Sequence, residues 1–127
     1  MIYYQDTDAG GVVYFATYLR FIEKSWFRYF MDIGISLPEW EKSGTYVMVK
    51  SVFLDLIDKV RYGETIEVVT SVKEVKNAYF ILAHTISKDG RPTTKAETKM
   101  VCVDSTGKLK RMPDPFKEKL LASLTKP

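Results

Sequence analysis

The chain has 127 residues but only one cysteine, Cys102, and one histidine, His84. A single cysteine excludes an intrachain disulfide and any multi-cysteine zinc site. A single histidine excludes the paired-histidine helix of zinc proteases. Proline and glycine are sparse, at 5 and 7 residues, and they form no linker or low-complexity segment. No internal repeat divides the chain. No apolar run approaches the roughly 18 residues of a membrane-spanning helix, and no signal-peptide pattern is present. The formal charge is only +3, too mild for a nucleic-acid binder, which concentrates Lys and Arg on one face. The sequence lacks a G-x-S-x-G elbow, a P-loop and a G-x-G-x-x-G fingerprint. The expectation is one domain, 1–127, in a reducing cytoplasm, with no nucleic acid and no membrane span as partner.

What is present is ordinary globular material: 46% hydrophobic and 28% charged residues. Over 15–33 the apolar residues Tyr18, Leu19, Ile22, Trp26, Tyr29, Phe30 and Ile33 recur at three- and four-residue steps. That period predicts one long helix with a wide apolar face. Gly34 can supply the left-handed residue that ends it. Leu37-Pro38 opens a predicted loop through Ser43-Gly44. The pattern then becomes extended over 45–56, 64–76, 78–88 and 93–104, rich in Val, Ile, Thr, Tyr and Phe. Asn77-Ala78, Asp89-Gly90 and Ser105-Thr106-Gly107 read as turns. A short strand is expected over 2–4, and a terminal helix over 116–124 with Asp114 as its cap and Pro115 at its first position. One helix followed by consecutive strands does not make a doubly wound parallel sheet. It fits an α+β fold in which an antiparallel sheet wraps around one helix, leaving edges that invite a second subunit.

The chemistry concentrates in the stretch DTDAGGVVY, residues 6–14. Asp6 and Asp8 are two apart and point to one side in extended backbone. A calcium loop opened at Asp6 would need an oxygen ligand at position 10 and a Glu at 17, where Gly10 and Thr17 stand. A phosphatase using an aspartyl phosphate would need a parallel scaffold that the element order lacks. A plain capping role for either Asp is the simplest alternative. The reading that uses the whole stretch is different. Gly10 and Gly11 let the backbone bend and approach a ligand. The helix that follows offers N–H groups without internal partners and a partial positive charge. Such a terminus suits a carbonyl oxygen becoming an oxyanion, and a nearby carboxylate can attack that carbonyl or activate a water. A thioester is a fitting electrophile, because its thiolate leaves without strong acid assistance.

The stretch YYQDTDAGGVVYFATYLRFIE resembles the opening motif of the 4-hydroxybenzoyl-CoA thioesterase family, closest to its YbgC-type acyl-CoA thioesterases. The family pattern is an aromatic strand, D-x-D-x-x-G-x-V-[YWF], then a central helix. VRYGETIEV (60–68) also resembles the family's approach to its next long strand. The resemblance implies the hotdog fold, a curved antiparallel sheet around one long helix, in homodimers or homotetramers with active sites between subunits. It implies Asp8 as catalytic nucleophile or general base, the backbone N–H at Phe15 as oxyanion donor, and Gly11 as the residue shaping the turn. Glu23 stands where one family member uses an acid on the acyl group's hydroxyl. The substrate implied is an acyl-CoA, with no metal and no cofactor. The alternative is a non-catalytic acyl-CoA-binding protein on the same fold. Many YbgC-type members carry His where this chain has Phe15, which points the acyl preference toward something more apolar.

Other residues have plainer readings. His84 shares a strand face with Phe80, Leu82 and Ile86 and reads as a structural histidine. Cys102, between two valines, reads as a small buried hydrophobe. Tyr14 and Tyr18 either line the acyl site or pack. Lys59, Arg61, Lys73, Lys76, Arg91 and the cluster Lys108, Lys110, Arg111 are candidates for the coenzyme A phosphates. Arg61 stands out because it follows the family-like segment.

Overall fold

The computed structural model describes residues 1–8, 13 and 15–124. The long helix, α1, runs Thr17–Asp32 and is followed by a short helix α2, Leu37–Lys42. Four strands come next: β1 (Tyr46–Leu56), β2 (Glu67–Val75), β3 (Tyr79–Lys88) and β4 (Arg91–Val103). A final helix, α3, spans Asp114–Ala122. The strands form one antiparallel sheet in the order β1-β4-β3-β2, so β1 and β2 are its edges. This is the α+β hotdog arrangement expected from the motif. No helix among the described residues is long and apolar enough to cross a membrane.

Local chemistry sets the boundaries. Gly34 takes φ +83° directly after α1, and Ile35 N–H returns to Phe30 O at 2.8 Å. The β3–β4 hairpin turns through Asp89 and Gly90, both at positive φ (52° and 75°), with Lys88 opposite Arg91. Both turn residues therefore have the backbone that a tight two-residue hairpin requires. Asn77-Ala78 joins β2 to β3, closed by Lys76 N–H to Tyr79 O at 2.8 Å. After β4, the Asp104 carboxylate accepts from Thr106 N–H at 2.8 Å and from its hydroxyl at 2.6 Å. Register shifts at Val49/Ser51, Val72/Glu74 and Ile86/Ser87 supply the extra residues that let a sheet bend around its helix.

Three expectations are corrected. Residues 2–4 are not a strand: Tyr4–Asp6 form a 3₁₀ turn, because the Asp6 carboxylate captures Tyr3 N–H at 3.0 Å and folds the backbone locally. The stretch after Leu37 is not a loop but α2. Pro38 sits in its first turn, where a fixed φ and a missing N–H do no harm, and Trp40 anchors it on Phe116 at 5.5 Å between ring centroids. The terminal helix begins earlier than expected, with Pro113 as its flanking residue and no side-chain cap from Asp114.

Two apolar clusters hold the layers together. The larger unites Phe30 and Ile35, the sheet residues Val72, Phe80, Leu82, Met100 and Cys102, and Phe116 and Leu120 of α3. The smaller joins Ile2, Val13, Tyr18, Val60 and Ile86. It seats the start of α1 and the chain's first residues on the sheet.

Candidate functional site

The opening loop is pinned at both ends. Asp6 is buried; its carboxylate accepts Tyr3 N–H and stands 3.9 Å from the Arg20 guanidinium. Thr7 N–H and hydroxyl both reach Tyr4 O, at 3.0 and 2.6 Å. Thr7 also bridges to Val13 across the loop, and Val13 N–H donates to Val60 O at 2.7 Å. Asp8 is therefore the first residue beyond a closed neck, and it is exposed. The segment around Val60 is fixed in turn, because Ile2 N–H donates to Glu64 O at 2.8 Å and Gly63 N–H to Ile2 O at 2.9 Å. These bonds tie the opening loop, residues 2–13, to the sequence-distant segment 60–64 that carries Arg61.

The helix itself starts at Thr17, two residues later than expected, because residues 15 and 16 form a turn. Tyr18 N–H reaches Phe15 O at 3.3 Å and Leu19 N–H reaches Ala16 O at 3.2 Å. No acidic residue lies in the first turn, and Ala16 at the cap position has no capping side chain. The helix dipole is thus not neutralised by a carboxylate from its own first turn. Phe15 is 57% exposed.

The other expected residues divide. Tyr18 is buried in the smaller cluster with its ring edge-on to Phe21 at 6.2 Å, and burial pushes its phenol pKa up. Glu23 is exposed and lines a depression on α1 with Trp26, Phe27 and Met31. Arg61 is exposed, its backbone N–H accepted by the Glu64 carboxylate. The Glu64 carboxyl pKa is held down by the Lys88 ammonium, which lies 2.8 Å away. Gly11 and Tyr14 lie outside the described residues. Among the candidate phosphate cations, Lys73 is paired with Glu97, and Lys110 donates to Thr45 Oγ1 at 2.8 Å, so both already serve the fold.

His84 is structural, as its strand position indicated. It is 2% exposed and bonded on both ring nitrogens: Nδ1 to Thr70 Oγ1 at 2.9 Å, Nε2 to Thr98 Oγ1 at 2.8 Å. Burial lowers its pKa from 6.5 to about 4. Above pH 6.5 both folded and unfolded chains hold it neutral, and stability is at its full value. As pH falls from 6.5 toward 4, the unfolded chain binds a proton that the fold refuses, and stability drops. Below about 4 the loss levels off. The expected loss is about 3 kcal/mol, measurable by urea unfolding at pH 7 and pH 4. His84→Gln, which still offers a donor and an acceptor but does not titrate, is expected to remove that part of the slope. Cys102 is buried in the larger cluster and burial pushes its thiol pKa up, away from nucleophilic use.

Comparison with known proteins places this geometry. The acyl-CoA thioesterase YbgC of Haemophilus influenzae is 34% identical over 110 residues, spanning 86% of this chain and 80% of that protein. A hypothetical protein from Thermus thermophilus superposes with a TM-score of 0.89 at 22% identity, covering 96% of this chain and 95% of that one. A 1,4-dihydroxy-2-naphthoyl-CoA thioesterase from Synechocystis superposes at 0.85 with 20% identity, covering 95% and 91%. The two superpositions show the shared fold. The sequence profile of the thioesterase-like superfamily matches residues 3–120. With the motif, the fold and the profile in agreement over nearly its whole length, the chain belongs to the thioesterase-like superfamily.

Proposed function

We propose that this chain, as a single domain, hydrolyses the thioester of an acyl-coenzyme A, with Asp8 as nucleophile or general base and the backbone N–H at Phe15 as oxyanion donor. The observation that carries the reading is the closed neck. Thr7 bridged to Val13, and Val13 bonded to Val60, hold together the two ends of the loop that carries Asp8 and leads into α1, which supports this reading. The carbonyl oxygen takes the hydrogen bond at the helix start, where the dipole favours developing negative charge. On one route the Asp8 carboxylate attacks the carbonyl carbon, the coenzyme A thiolate leaves, and water then cleaves the acyl anhydride. On the other, Asp8 takes a proton from water, the hydroxide adds to the carbon, and the thiolate leaves. Neither route draws on a metal or a cofactor. Asp6, buried and bonded within the turn, orders the loop. The test is thiol release from short, long and aromatic acyl-CoAs. Turnover of at least one class is expected, whereas binding of a nonhydrolysable analogue with no turnover of any class would leave a binding protein instead.

The protomer's exposed apolar surface supports a homodimer with the site at its interface. Phe15, Leu19, Phe27 and Met31 of α1 are exposed along successive turns, with Glu23 among them. Edge strand β1 exposes Met48, Val49, Val52 and Phe53, the last at 64%. An open, apolar edge of eleven residues is a pairing surface unless charge or a cover blocks it. Phe53→Lys is expected to weaken self-association by about tenfold or more, read by sedimentation velocity across a dilution series. An unchanged oligomer would move the interface elsewhere. Arg61 is the cation this reading assigns to the coenzyme A phosphates, being exposed and held beside the loop through Val60.

A further inference from the structure

Tyr18 has no part in the chemistry proposed above, yet it closes the turn on which that chemistry depends. Val13 N–H donates to Val60 O at 2.7 Å. Five residues on, Tyr18 is 2% exposed and lies in the same apolar cluster as Val13 and Val60. The turn at residues 15 and 16 therefore stands between two residues that are both seated at Val60.

The backbone grips that turn weakly. Tyr18 N–H to Phe15 O and Leu19 N–H to Ala16 O measure 3.3 and 3.2 Å, at the long end for such bonds. Both close over three residues rather than four, the tighter winding with poorer bond geometry. Ala16 has no capping side chain, and the first turn holds no carboxylate. Tyr18 is the large side chain of that turn that reaches the core. Its polar end has company there. Burial pushes the phenol pKa up, while the Thr94 hydroxyl and the Val60 backbone beside it act the other way. Thr94 is fully buried, and its hydroxyl makes no hydrogen bond of full geometry among the described residues. A buried hydroxyl needs a partner, and the Tyr18 hydroxyl is the one at hand.

We propose that Tyr18 is a positioning residue for thioester hydrolysis: its ring and hydroxyl, seated against Val60 and Thr94, fix the turn that carries the Phe15 N–H relative to the loop closed at Val13. The proposal rests on the reading of Phe15 as the oxyanion donor. Tyr18 touches no reacting atom in this role and acts only through the turn. An oxyanion donor works where it stands within hydrogen-bond reach of the developing charge, and a misplacement of about 1 Å can cost up to about 10²-fold in rate. Apolar contact alone is non-directional and lets a ring slide. A buried hydroxyl with polar neighbours on β4 and on the 60–64 segment is directional, because sliding away would strand it. Clamping by Tyr18 thus supplies what the long turn bonds and the missing cap do not.

Tyr18→Phe removes one oxygen and keeps the ring. Its kcat for acyl-CoA hydrolysis is expected to fall about tenfold with KM little changed, the pattern of a group that matters in the transition state only. Amide hydrogen exchange at Tyr18 and Leu19, whose N–H groups close the turn, is expected to speed up by more than any change among the β3 amides. Thr94→Val is then added. The double variant leaves no stranded Thr94 hydroxyl and is expected to recover stability lost by Tyr18→Phe, read by urea unfolding, because removing both partners costs less than removing one. Its kcat is expected to stay low. Turnover that returns with stability would make Tyr18 a packing residue and overturn the proposal. A raised KM at unchanged kcat would place it against the substrate and overturn it too, as would exchange at Tyr18 and Leu19 no faster than in β3. Wild-type turnover that persists undiminished in Tyr18→Phe removes the clamp and leaves the hydrolase reading intact. No wild-type turnover of any acyl-CoA class removes that reading and the clamp's role in it together.

Discussion

Asp8→Asn is expected to lower acyl-CoA turnover by about 10² or more, with substrate affinity little changed. The substitution preserves size and hydrogen-bonding shape and removes only charge, basicity and nucleophilicity. Asp8 is exposed and lies just outside the neck that Thr7 and Val13 close, and the bonds of Thr7 to Tyr4 and of Val13 to Val60 do not run through its carboxylate. Asp6→Asn is the matched contrast. That carboxylate is 4% exposed, accepts Tyr3 N–H and faces Arg20, so its neutralisation is expected to lower thermal stability while the chemical step survives in the folded fraction. Steady-state thiol release and thermal unfolding of both variants give a two-by-two outcome. Near-normal hydrolysis by Asp8→Asn defeats the assignment, and a collapse of turnover in Asp6→Asn at unchanged stability would move the chemistry two residues upstream. Single turnover in ¹⁸O water then tests the anhydride route: label entering Asp8 supports an anhydride opened at the Asp8 carboxyl carbon, while label only in the acid product fits direct attack by water or opening at the acyl carbon.

Much of this fold was legible because it is written in local chemistry. The strands lie within three residues of the bounds that β-branched and aromatic runs predict, since each hairpin is set by its own turn: Asp89-Gly90 at positive φ, Asn77-Ala78 by a short backbone bond. Gly34 ends the long helix as its freedom at positive φ allows. The misread parts are those where one particular side-chain partner, near or far in sequence, decides. Leu37–Lys42 is helical because Trp40 finds Phe116, 76 positions away in sequence. Tyr4–Asp6 turns because a carboxylate three residues on outbids a ladder. Leu19 fits the helix period as well as Ile22 does, yet Leu19 is exposed and Ile22 buried; periodicity finds a face without saying how much of it one sheet covers. The chemistry followed the same division. The motif supplies the proposal for Asp8 and Phe15, and the strand face of His84 marked it as structural, in line with its burial and two ring bonds. The bonds from Ser25 to Thr70 and from Thr70 to His84 join residues 45 and 14 apart, a constellation no local pattern announces.

Phe80→Ala is expected to destabilise the fold by about 3–5 kcal/mol. The ring is fully buried at the point where four elements meet. It packs edge-on against Phe30 of α1 at 5.8 Å and tilted against Phe116 of α3 at 6.2 Å, and Phe116 in turn holds Trp40 of α2. Deleting it forfeits the transfer energy of an aromatic side chain and leaves a cavity lined by large rings that are themselves engaged, Phe30 with Trp26 at 5.7 Å among them. Because those rings belong to separate elements, no one helix can shift inward to fill the gap without breaking its contact on the far side. Phe80→Leu retains most of the volume and is expected to cost much less. Urea unfolding at one fixed protein concentration checks both, since self-association would otherwise enter the midpoint. A lower midpoint at unchanged slope is the expected signature. A cost below about 1.5 kcal/mol for the alanine, the range of a tolerated volume-conserving change, would mean that the three helices are not fastened to the sheet through this ring.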